Sequence, residues 1–405
     1  MSRLKIEIFV NLFSLPSHHH FILHLHLSKA KFLTNPLPPL PFSFPPAYFC
    51  TMHISCLIIG QGISGTWLSY FLQKENQSFL VIDDHAPHAS SRLSAGIINP
   101  VTGRRHVAVW MADELLPYVW NIYTTLGQEL NINAISQKDI IDFFPNPQMR
   151  LSFQQRVNED NQYVSMGDNE NYFHHSFQYD FGFGKITPCY TVHLQNILPA
   201  WRSQLKKNNQ LLEEKFNIAD LKIHKHQVKY KNITADKIIF CDGNAGTTNP
   251  WFQLLPFAPN KGEALILEIP DLPPTHIYKK GMVLVPLATP HLWWLGSSYQ
   301  WSFTHELPTD AFKTQAETTL KNFLKPPYKI ADHICGIRPA TLERRPFVGL
   351  HPVHSQIGIL NGMGTKGCSL APYFANQLTQ HLVHHSPIMP DADIKRFSSL
   401  LTRNA

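Results

Sequence analysis

The chain of 405 residues has no apolar run of the roughly 18 residues that a membrane-spanning helix needs, which argues against an integral membrane protein. Its six cysteines include no CxxC pair and no closely spaced framework, so the sequence does not indicate a disulfide scaffold. We expect buried thiols in a reducing compartment, and therefore a cytoplasmic protein.

A strong charge of one sign is also missing. The formal charge is +6, but residues 1–51 hold four Lys/Arg and a single acid, which leaves residues 52–405 with a net charge of +3. That bias is too weak to predict nucleic-acid binding. With 43% hydrophobic and 16% charged residues, the composition is typical of a globular protein of two or three domains.

Residues 1–51 differ from the rest of the chain, with a histidine tract at 18–20 and a proline-rich run over 36–46. We expect a disordered leader that need not be native coding sequence, with the functional protein starting at Met52. The alternative is a signal peptide with residues 2–5 as its basic start. Glu7 and Asn11 interrupt its apolar stretch and no small-x-small cleavage site follows, which disfavours that alternative.

The first chemical motif is a glycine turn between a strand and a helix. A short apolar run over 53–59 predicts a buried parallel strand, and residues 66–74 predict a helix. A second apolar run over 79–82 ends in Asp83, which follows Gly60 by 23 residues. This order and spacing predict a dinucleotide-binding cradle. The turn itself reads Gly60-Gln61-Gly62-Ile63-Ser64-Gly65.

Each residue of the cradle has a physical reason. Gly60 allows the tight turn, Gly62 lets the backbone approach a pyrophosphate, and Gly65 permits close helix–strand packing. The N–H groups of Ile63 and Ser64 open the helix and face the phosphates. We expect Asp83 to accept hydrogen bonds from ribose hydroxyls.

The small-residue segment over 90–100 leaves two interpretations open. Ser91, Gly96 and Ile97 lie in a stretch whose small side chains let the main chain run close to a flat ligand. The same stretch is equally compatible with a plain surface loop.

The middle of the chain predicts a second sheet. Helices are predicted over 107–130, with its aromatic residues in the core, and over 191–207. An apolar strand over 237–241 leads into a glycine turn at Gly243. Further strands are predicted over 210–216, 221–224, 227–230, 262–269, 282–287 and 292–298, with Tyr299 and Trp301 extending the last one. The sequence indicates no clear order for residues 136–185.

The last motifs are Gly336-Ile337-Arg338-Pro339, a strand over 357–360, the loop 361–367 and a helix over 368–383. Together with the cradle, the small-residue segment and the turn at Gly243, they resemble the family of FAD-dependent amine and amino-acid oxidoreductases. That family includes D-amino-acid oxidase, glycine oxidase and sarcosine oxidase, and the resemblance covers residues 52–385.

The resemblance implies an α/β fold, with a Rossmann-like FAD-binding domain and an α+β substrate domain built on a mixed or antiparallel sheet. The FAD-binding domain would comprise residues 52–135, 186–256 and 331–405, and the substrate domain residues 136–185 and 257–330. FAD is expected to be non-covalent, because Gly336 rather than Cys335 takes the place of the flavin-linked cysteine of sarcosine oxidases. The implied cofactor residues beyond the first cradle are Ser91, Gly96, Ile97, Gly243, Gly362, Gly364, Thr365, Lys366 and Gly367, with the backbone N–H groups of 365–367 stabilising the reduced flavin.

The resemblance also implies oxidation of the C–N bond of a small carboxylate-bearing amine by hydride transfer to the flavin. Arg338 corresponds to the carboxylate clamp of glycine oxidase-like enzymes and Lys366 to that of sarcosine oxidase-like enzymes. Arg104, with Arg105, is a candidate for the same pocket or equally part of a solvated charge run, and Tyr299 would either line the pocket or pack in the core. The electron acceptor, oxygen or a quinone, stays open.

Two other functions stay open as alternatives. One is the flavin domain of a tRNA wobble-uridine modification enzyme, whose substrate has a glycine-like end. The other is a non-catalytic dinucleotide-binding protein, which would have no need of Arg338 and Lys366. His381, His384 and His385 have the spacing of metal ligands on a helix, but no further ligand is identifiable, so we expect solvated histidines and no metal.

Overall fold

The computed structural model describes residues 52–159 and 162–404, and the predicted leader of residues 1–51 lies outside them. The α-helices are α1 (Ile63–Lys74), α2 (Ser90–Leu93), α3 (Ala112–Leu130), α4 (Pro147–Glu159), α5 (Leu194–Lys207), α6 (Asp310–Lys321), α7 (Gly367–His384) and α8 (Ser398–Leu401).

The strands of the first half of the chain are β1 (Met52–Ile59), β2 (Phe79–Ile82), β3 (Ile97–Ile98), β4 (Val101–Thr102), β5 (Val107–Ala108), β6 (Ile135–Gln137), β7 (Ile140–Phe143), β8 (Val164–Met166), β9 (Phe183–Ile186) and β10 (Tyr190–Val192). Those of the second half are β11 (Leu211–Leu212), β12 (Leu221–Ile223), β13 (Val228–Tyr230), β14 (Ile233–Phe240), β15 (Asn260–Glu268), β16 (Ile277–Lys280), β17 (Met282–Pro286), β18 (Leu292–Gly296), β19 (Lys329–Arg338), β20 (Phe347–Leu350) and β21 (Ile357–Asn361).

The predicted Rossmann-like sheet is confirmed. Five parallel strands follow the order β11-β2-β1-β14-β21, while β20 and the β12–β13 hairpin add antiparallel strands. The central strand β1 is apolar throughout its second half because both of its faces are covered. Ile58 packs in the same core as Trp67 of α1 and Phe374 of α7, and Leu57 packs in a second core with Phe252.

The predicted mixed sheet is confirmed as well. Its order is β19-β15-β18-β17-β16-β7-β9-β8, and all neighbouring strands are antiparallel except β16 and β7. We call outer the face on which Leu265 and Trp293 pack against α6. The opposite, inner face carries Ala264 and Trp294, and the indole of Trp294 donates to Leu93 O at 3.1 Å. The inner face therefore lies against the small-residue segment at Leu93.

Two predicted helices begin later than their apolar periodicity indicates. The helix predicted over 107–130 begins at Ala112, because residues 107–108 form β5 and Met111 adopts a left-handed φ of 59°. Trp120 on this helix is exposed, contrary to the core position predicted for its aromatic residues, while Tyr123 is buried as predicted. The helix predicted over 191–207 begins at Leu194 because Thr191 belongs to β10.

The strand predicted over 210–216 is limited to Leu211–Leu212. The strand predicted over 292–298 ends at Gly296, and the aromatic residues after it do not extend the sheet. Tyr299 and Trp301 are 60% and 63% exposed, which also overturns core packing for Tyr299. Between them, Gln300 alone makes a bridge to Lys261 of β15.

The prediction of buried thiols is confirmed for Cys56, Cys189, Cys241, Cys335 and Cys368, none of which is in a disulfide; Cys50 lies outside the described residues. Among the helices that the structure describes, none combines the length and the apolar character needed to cross a bilayer.

A buried ion pair anchors the segment that follows β18 to the outer face. Lys261 is 1% and Glu263 0% exposed, and their charged atoms lie 3.5 Å apart. The Lys261 ammonium donates to Leu307 O at 2.7 Å, while the Glu263 carboxylate accepts from Thr309 N at 2.6 Å and lies 3.1 Å from His333 Nε2. The segment 300–309 is thus held at its far end by buried charges, while Gln300 at its start is held by backbone hydrogen bonds to Lys261.

We expect Lys261→Met to lower the free energy of unfolding by about 3 kcal/mol, because it leaves the Glu263 carboxylate buried without its lysine. Denaturant unfolding followed by circular dichroism measures the change. The matched control is Lys74→Met, which removes an exposed Lys–Glu pair with Glu129 and should cost at most about 1 kcal/mol. Equal losses in the two variants would contradict a structural role for the buried pair.

Candidate active site

The predicted cradle forms where β1 turns into α1. Gly60 has a left-handed φ of +97°, and a Cβ there would lie 2.6 Å from the carbonyl oxygen of Cys241 at the end of β14. A Cβ on Gly65 would lie 1.8 Å from the carbonyl oxygen of Gly60. No side chain fits at either position, so the turn, the helix and β14 meet through backbone alone.

The N-terminus of α1 faces the small-residue segment. The N-cap residue Gly62 provides no side chain to cap the helix, and Ile63 N donates to the Ser91 hydroxyl at 3.1 Å. A Cβ on Gly62 would lie 3.2 Å from the same hydroxyl, so the backbone here can approach a ligand closely. The N–H group of Ser64 in the first turn suits a pyrophosphate, whereas that of Ile63 is already used by Ser91.

Asp83 lies at the cradle, but arginines hold its carboxylate. Oδ1 accepts from Arg202 at 2.7 Å and from Arg92 at 3.4 Å, while Oδ2 accepts from Gln61 N at 2.8 Å. The sequence analysis missed Arg202 and Gln61, both buried, whose side chains also bond each other. The sequence shows Arg202 only as one more arginine of the predicted helix 191–207, because its burial is a property of the fold.

The segment around Gly96 is not a plain surface loop. Ile97 belongs to β3, which pairs with β10, and a Cβ on Gly96 would lie 2.0 Å from Val192 O. The segment is therefore packed against β10 at Gly96 and Ile97 before it enters the hairpin of β4 and β5. The exposed turn of that hairpin, residues 103–105, carries Arg104 and Arg105.

The late glycine loop meets the early cradle. A Cβ on Gly367 would lie 3.4 Å from the Ile63 side chain, and Gly364 N donates to Pro339 O at 3.1 Å. The loop, with Gly362 and the exposed Thr365, thus lies between the cradle and the residue directly after Arg338. Of the three predicted backbone donors, Lys366 N–H is already used, since it donates to Met363 O.

Lys366 lies at the start of α7, and its ammonium contacts Asn99, which lies just before the β4–β5 hairpin. Its ammonium donates to Asn99 Oδ1 at 2.7 Å, and burial lowers its pKa to about 8.

Asp242 ties the two central glycine turns together. Asn361 Nδ2 donates to Asp242 Oδ1 at 2.9 Å and to Gly243 O at 2.8 Å, while Asn361 Oδ1 accepts from Gly362 N. Burial raises the pKa of the Asp242 carboxyl to about 6, although hydrogen bonds from Asn249 and Asn361 oppose the shift.

Arg338 lies on the inner face of the mixed sheet. Nη1 donates to Asn260 Oδ1 at 2.6 Å and to Ser298 O at 3.2 Å, and Nη2 donates to Ser297 Oγ at 2.8 Å. A Cβ on Gly262 would lie 2.2 Å from the guanidinium carbon, and the Tyr299 ring centroid is 4.6 Å from it. Both flat faces of the guanidinium are covered.

The site fits an FAD molecule. The backbone cradle offers donors for the diphosphate, and Arg92 Nε and Asn244 Oδ1 are buried without a hydrogen-bond partner among the residues that the structure describes. Arg92 also contacts Asp83 and Asn244 follows Gly243, so both atoms lie beside predicted cofactor residues, and a polar ligand there would satisfy them.

The His381, His384 and His385 set makes ordinary contacts. His381 Nδ1 lies 2.8 Å from Ser386 O, and His384 Nε2 lies 3.1 Å from Glu75 Oε2. No cluster of three metal-ligating side chains occurs within residues 52–159 and 162–404.

We expect the free energy of unfolding to fall as the pH rises from 4 to 6, because of Asp242. Its folded pKa lies above its ordinary value of 3.8, so the folded chain binds a proton more tightly than the unfolded chain, and stability declines as pH rises through this window. Asn at position 242 cannot titrate, so in Asp242→Asn the fall in unfolding free energy over this pH window should be smaller by about 2 kcal/mol. Urea unfolding at pH 4, 5, 6 and 7 measures it, with the exposed Asp236→Asn as control. Parallel profiles for wild type and Asp242→Asn would contradict the assignment.

Comparisons with solved structures show the same fold. The iminodiacetate oxidase of Chelativorans sp. BNC1 is 17% identical, with a TM-score of 0.69 over 85% of this chain and 98% of that one. Glycine oxidase from Geobacillus kaustophilus is 15% identical, with a TM-score of 0.68 over 87% and 99%. L-proline dehydrogenase from P. horikoshii is 16% identical, with a TM-score of 0.68 over 86% and 98%.

The family model described as FAD dependent oxidoreductase matches residues 55–381, which is most of the chain and runs from the cradle through α7. The match includes both glycine loops and both sheets. The chain therefore belongs to the DAO family of FAD-dependent oxidoreductases.

Proposed function

We propose that the enzyme oxidises the C–N bond of a small amino acid or N-alkylated amino acid whose carboxylate binds Arg338. The observation that carries this proposal is that the Arg338 guanidinium is held in place by the protein and still has two N–H groups without an acceptor among the described residues. Its faces lie between Gly262 and Tyr299, and three of its five N–H groups hold protein oxygens. Nε–H and one Nη2–H make no hydrogen bond within the described part of the chain, and two such donors suffice for a carboxylate.

The position of Arg338 supports the same reading. Gly336 lies two residues earlier on the same face, and a Cβ there would lie 3.1 Å from Leu93 and 3.9 Å from Ser90 Cα. Pro339, directly after Arg338, accepts a hydrogen bond from Gly364. The guanidinium is thus flanked by both segments of the cofactor site, where a clamped substrate meets the cofactor.

Lys366 would supply a second positive charge to the pocket. Its ammonium uses Asn99 as its acceptor, which fixes the charge beside the hairpin that carries Arg104. We include Arg104 as a third cation at the pocket entrance and Tyr299 as its wall.

When bound, FAD supplies the two-electron acceptor to which the hydrogen of the substrate α-C–H passes as a hydride. The chain's own residues bind the carboxylate, orient the α-carbon and exclude water. An amine that binds neutral needs no protein base, and the imine product is hydrolysed by water to a carbonyl compound and an amine. In this arrangement residues 257–330 with 136–185 serve as the substrate domain, and the remaining described segments bind FAD.

The printed activities of the structural relatives support this substrate class. Iminodiacetate, glycine and L-proline are all carboxylate-bearing amines. Bleaching of the flavin band by a panel of such amines without oxygen tests the proposal. Bleaching by tRNA alone would replace it with the tRNA-modification alternative.

We expect Arg338→Ala to lower kcat/KM for a carboxylated amine by roughly 10- to 150-fold, the value of a hydrogen bond to a charged group. Arg338→Lys should retain more activity than Arg338→Ala but less than wild type, because an ammonium cannot bind a carboxylate in the bidentate way. The control is Arg150→Ala, which removes an exposed pair with Glu170. Unchanged kinetics with full flavin absorbance would remove Arg338 from the site.

The pKa of Lys366 predicts a pH dependence of carboxylate binding. Its ammonium is charged below about pH 8 and neutral above, so the Kd of a monocarboxylate such as acetate should rise by up to about tenfold per unit above pH 8. Lys366→Arg stays charged and should flatten the profile from pH 7 to 10. Titrations followed by the flavin spectrum measure it, and a sloped Lys366→Arg profile identical to wild type would exclude Lys366 as the titrating group.

A further inference from the structure

A buried arginine of α5 lies directly behind the acidic residue of the cradle. Arg202 is 5% exposed, and its guanidinium makes four hydrogen bonds. Nη1 donates to Asp83 Oδ1 at 2.7 Å and to Gln61 Oε1 at 3.1 Å, while Nη2 donates to Asp83 O at 3.2 Å and to Glu213 Oε1 at 3.0 Å. Both Nη groups are therefore fully used by acceptors of the protein itself, which leaves neither of them a hydrogen for a ligand.

The side chain of Gln61 attaches the glycine turn to the same helix. Gln61 is wholly buried, and its Nε2 donates to Leu198 O at 3.1 Å and to Thr66 Oγ1 at 3.2 Å. Leu198 lies one helical turn before Arg202, so neighbouring positions of α5 hold the Gln61 amide and the Asp83 carboxylate. Helix α5, the turn and the end of β2 are thus fixed relative to one another by buried polar contacts.

The two carboxylate oxygens of Asp83 have different surroundings. Oδ1 accepts from Arg202, from His85 N at 2.9 Å and from Arg92 at 3.4 Å. Oδ2 accepts only from Gln61 N among the residues that the structure describes. A carboxylate oxygen has two lone pairs, so Oδ1 is saturated and Oδ2 keeps one free acceptor position. That position lies beside the backbone of the glycine turn.

Arg202 holds the side chain and the main chain of Asp83 together. Because Nη1 bonds the carboxylate and Nη2 bonds the carbonyl oxygen of the same residue, one guanidinium fixes the carboxylate relative to its own backbone. Without the guanidinium, the carboxylate would be free to rotate toward Arg92 or toward water. Arg202 therefore determines which oxygen of Asp83 stays saturated and which stays free.

We infer that Arg202 is a positioning residue for FAD. It holds Asp83 so that Oδ2, the oxygen beside the glycine turn, accepts a hydroxyl of the adenosine ribose. The inference rests on the ribose contact expected of Asp83 and does not involve Arg338, so its failure would leave the proposed function in place.

The test measures nucleotide binding to the full chain stripped of flavin, with FAD, ADP and FMN as probes in calorimetric titrations. ADP contains the adenosine ribose, and FMN does not. Arg202→Met should weaken the binding of ADP and FAD by roughly 10- to 150-fold, the contribution of a hydrogen bond to a charged group, while FMN binds as it does to wild type. Arg202→Lys should give an intermediate loss, because an ammonium has three donors and cannot make the four bonds of the guanidinium.

The matched control is Lys206→Met. Lys206 lies one turn further along α5 and pairs with Glu213 at 2.8 Å, but it does not contact Asp83, so this variant should bind ADP as wild type does. An Arg202→Met variant with the ADP affinity of wild type, or with equal losses for ADP and FMN, would overturn the inference.

A double variant separates positioning from damage to the fold. Asp83→Asn with Arg202→Met removes both charges, so neither ion is left buried alone. If Arg202 acts through Asp83, adding Arg202→Met to Asp83→Asn should cause little further loss of ADP affinity. Losses that add in full in the double variant would show that Arg202 acts independently of Asp83, which contradicts a positioning role.

Discussion

Direct contact between backbone segments holds the cofactor site together. The turn at Gly60 lies against the end of β14, and Gly65 lies against Gly60, at distances that exclude any Cβ. The carbonyl of Cys241 occupies the space that a side chain on Gly60 would take, and at the start of α1 the Ile63 N–H donates to the Ser91 hydroxyl. The other contacts of the site are built outward from this arrangement.

The late loop joins that core to the second sheet. Asn361 links its own loop to Asp242 and Gly243, and Gly364 donates to the residue after Arg338. The position of the guanidinium is therefore set from two sides, by the loop and by the inner face under it. Residue 262 must be glycine for the guanidinium to lie there, because the guanidinium occupies the space that a Cβ would take.

Local patterns predicted the parts of the molecule in which neighbours in sequence are neighbours in space. The first strand, the glycine turn and β2 have nearly the bounds expected, because apolar runs and glycine spacing record them directly. The late start of α5 was missed because Thr191 pairs with strands distant in sequence, whereas α3 starts late because a local hairpin and a left-handed Met111 interrupt its apolar periodicity. The contacts of Asp83 with Arg202 and of Asp142 with Lys279 join residues more than 100 positions apart, and no spacing rule reports such pairs.

The segment after β18 is held at two points. Gln300 forms backbone hydrogen bonds with Lys261 of β15, and Leu307 and Thr309 accept from and donate to the buried side chains of Lys261 and Glu263. Residues 301–306 between these points form a loop that is exposed almost throughout. Extra residues, a tag or a fluorophore inserted in this exposed loop would leave the hydrogen bonds at both of its ends in place. Tyr299, which lies over the Arg338 guanidinium, would keep its position. This exposed loop is thus an attachment point for a reporter close to the proposed substrate clamp.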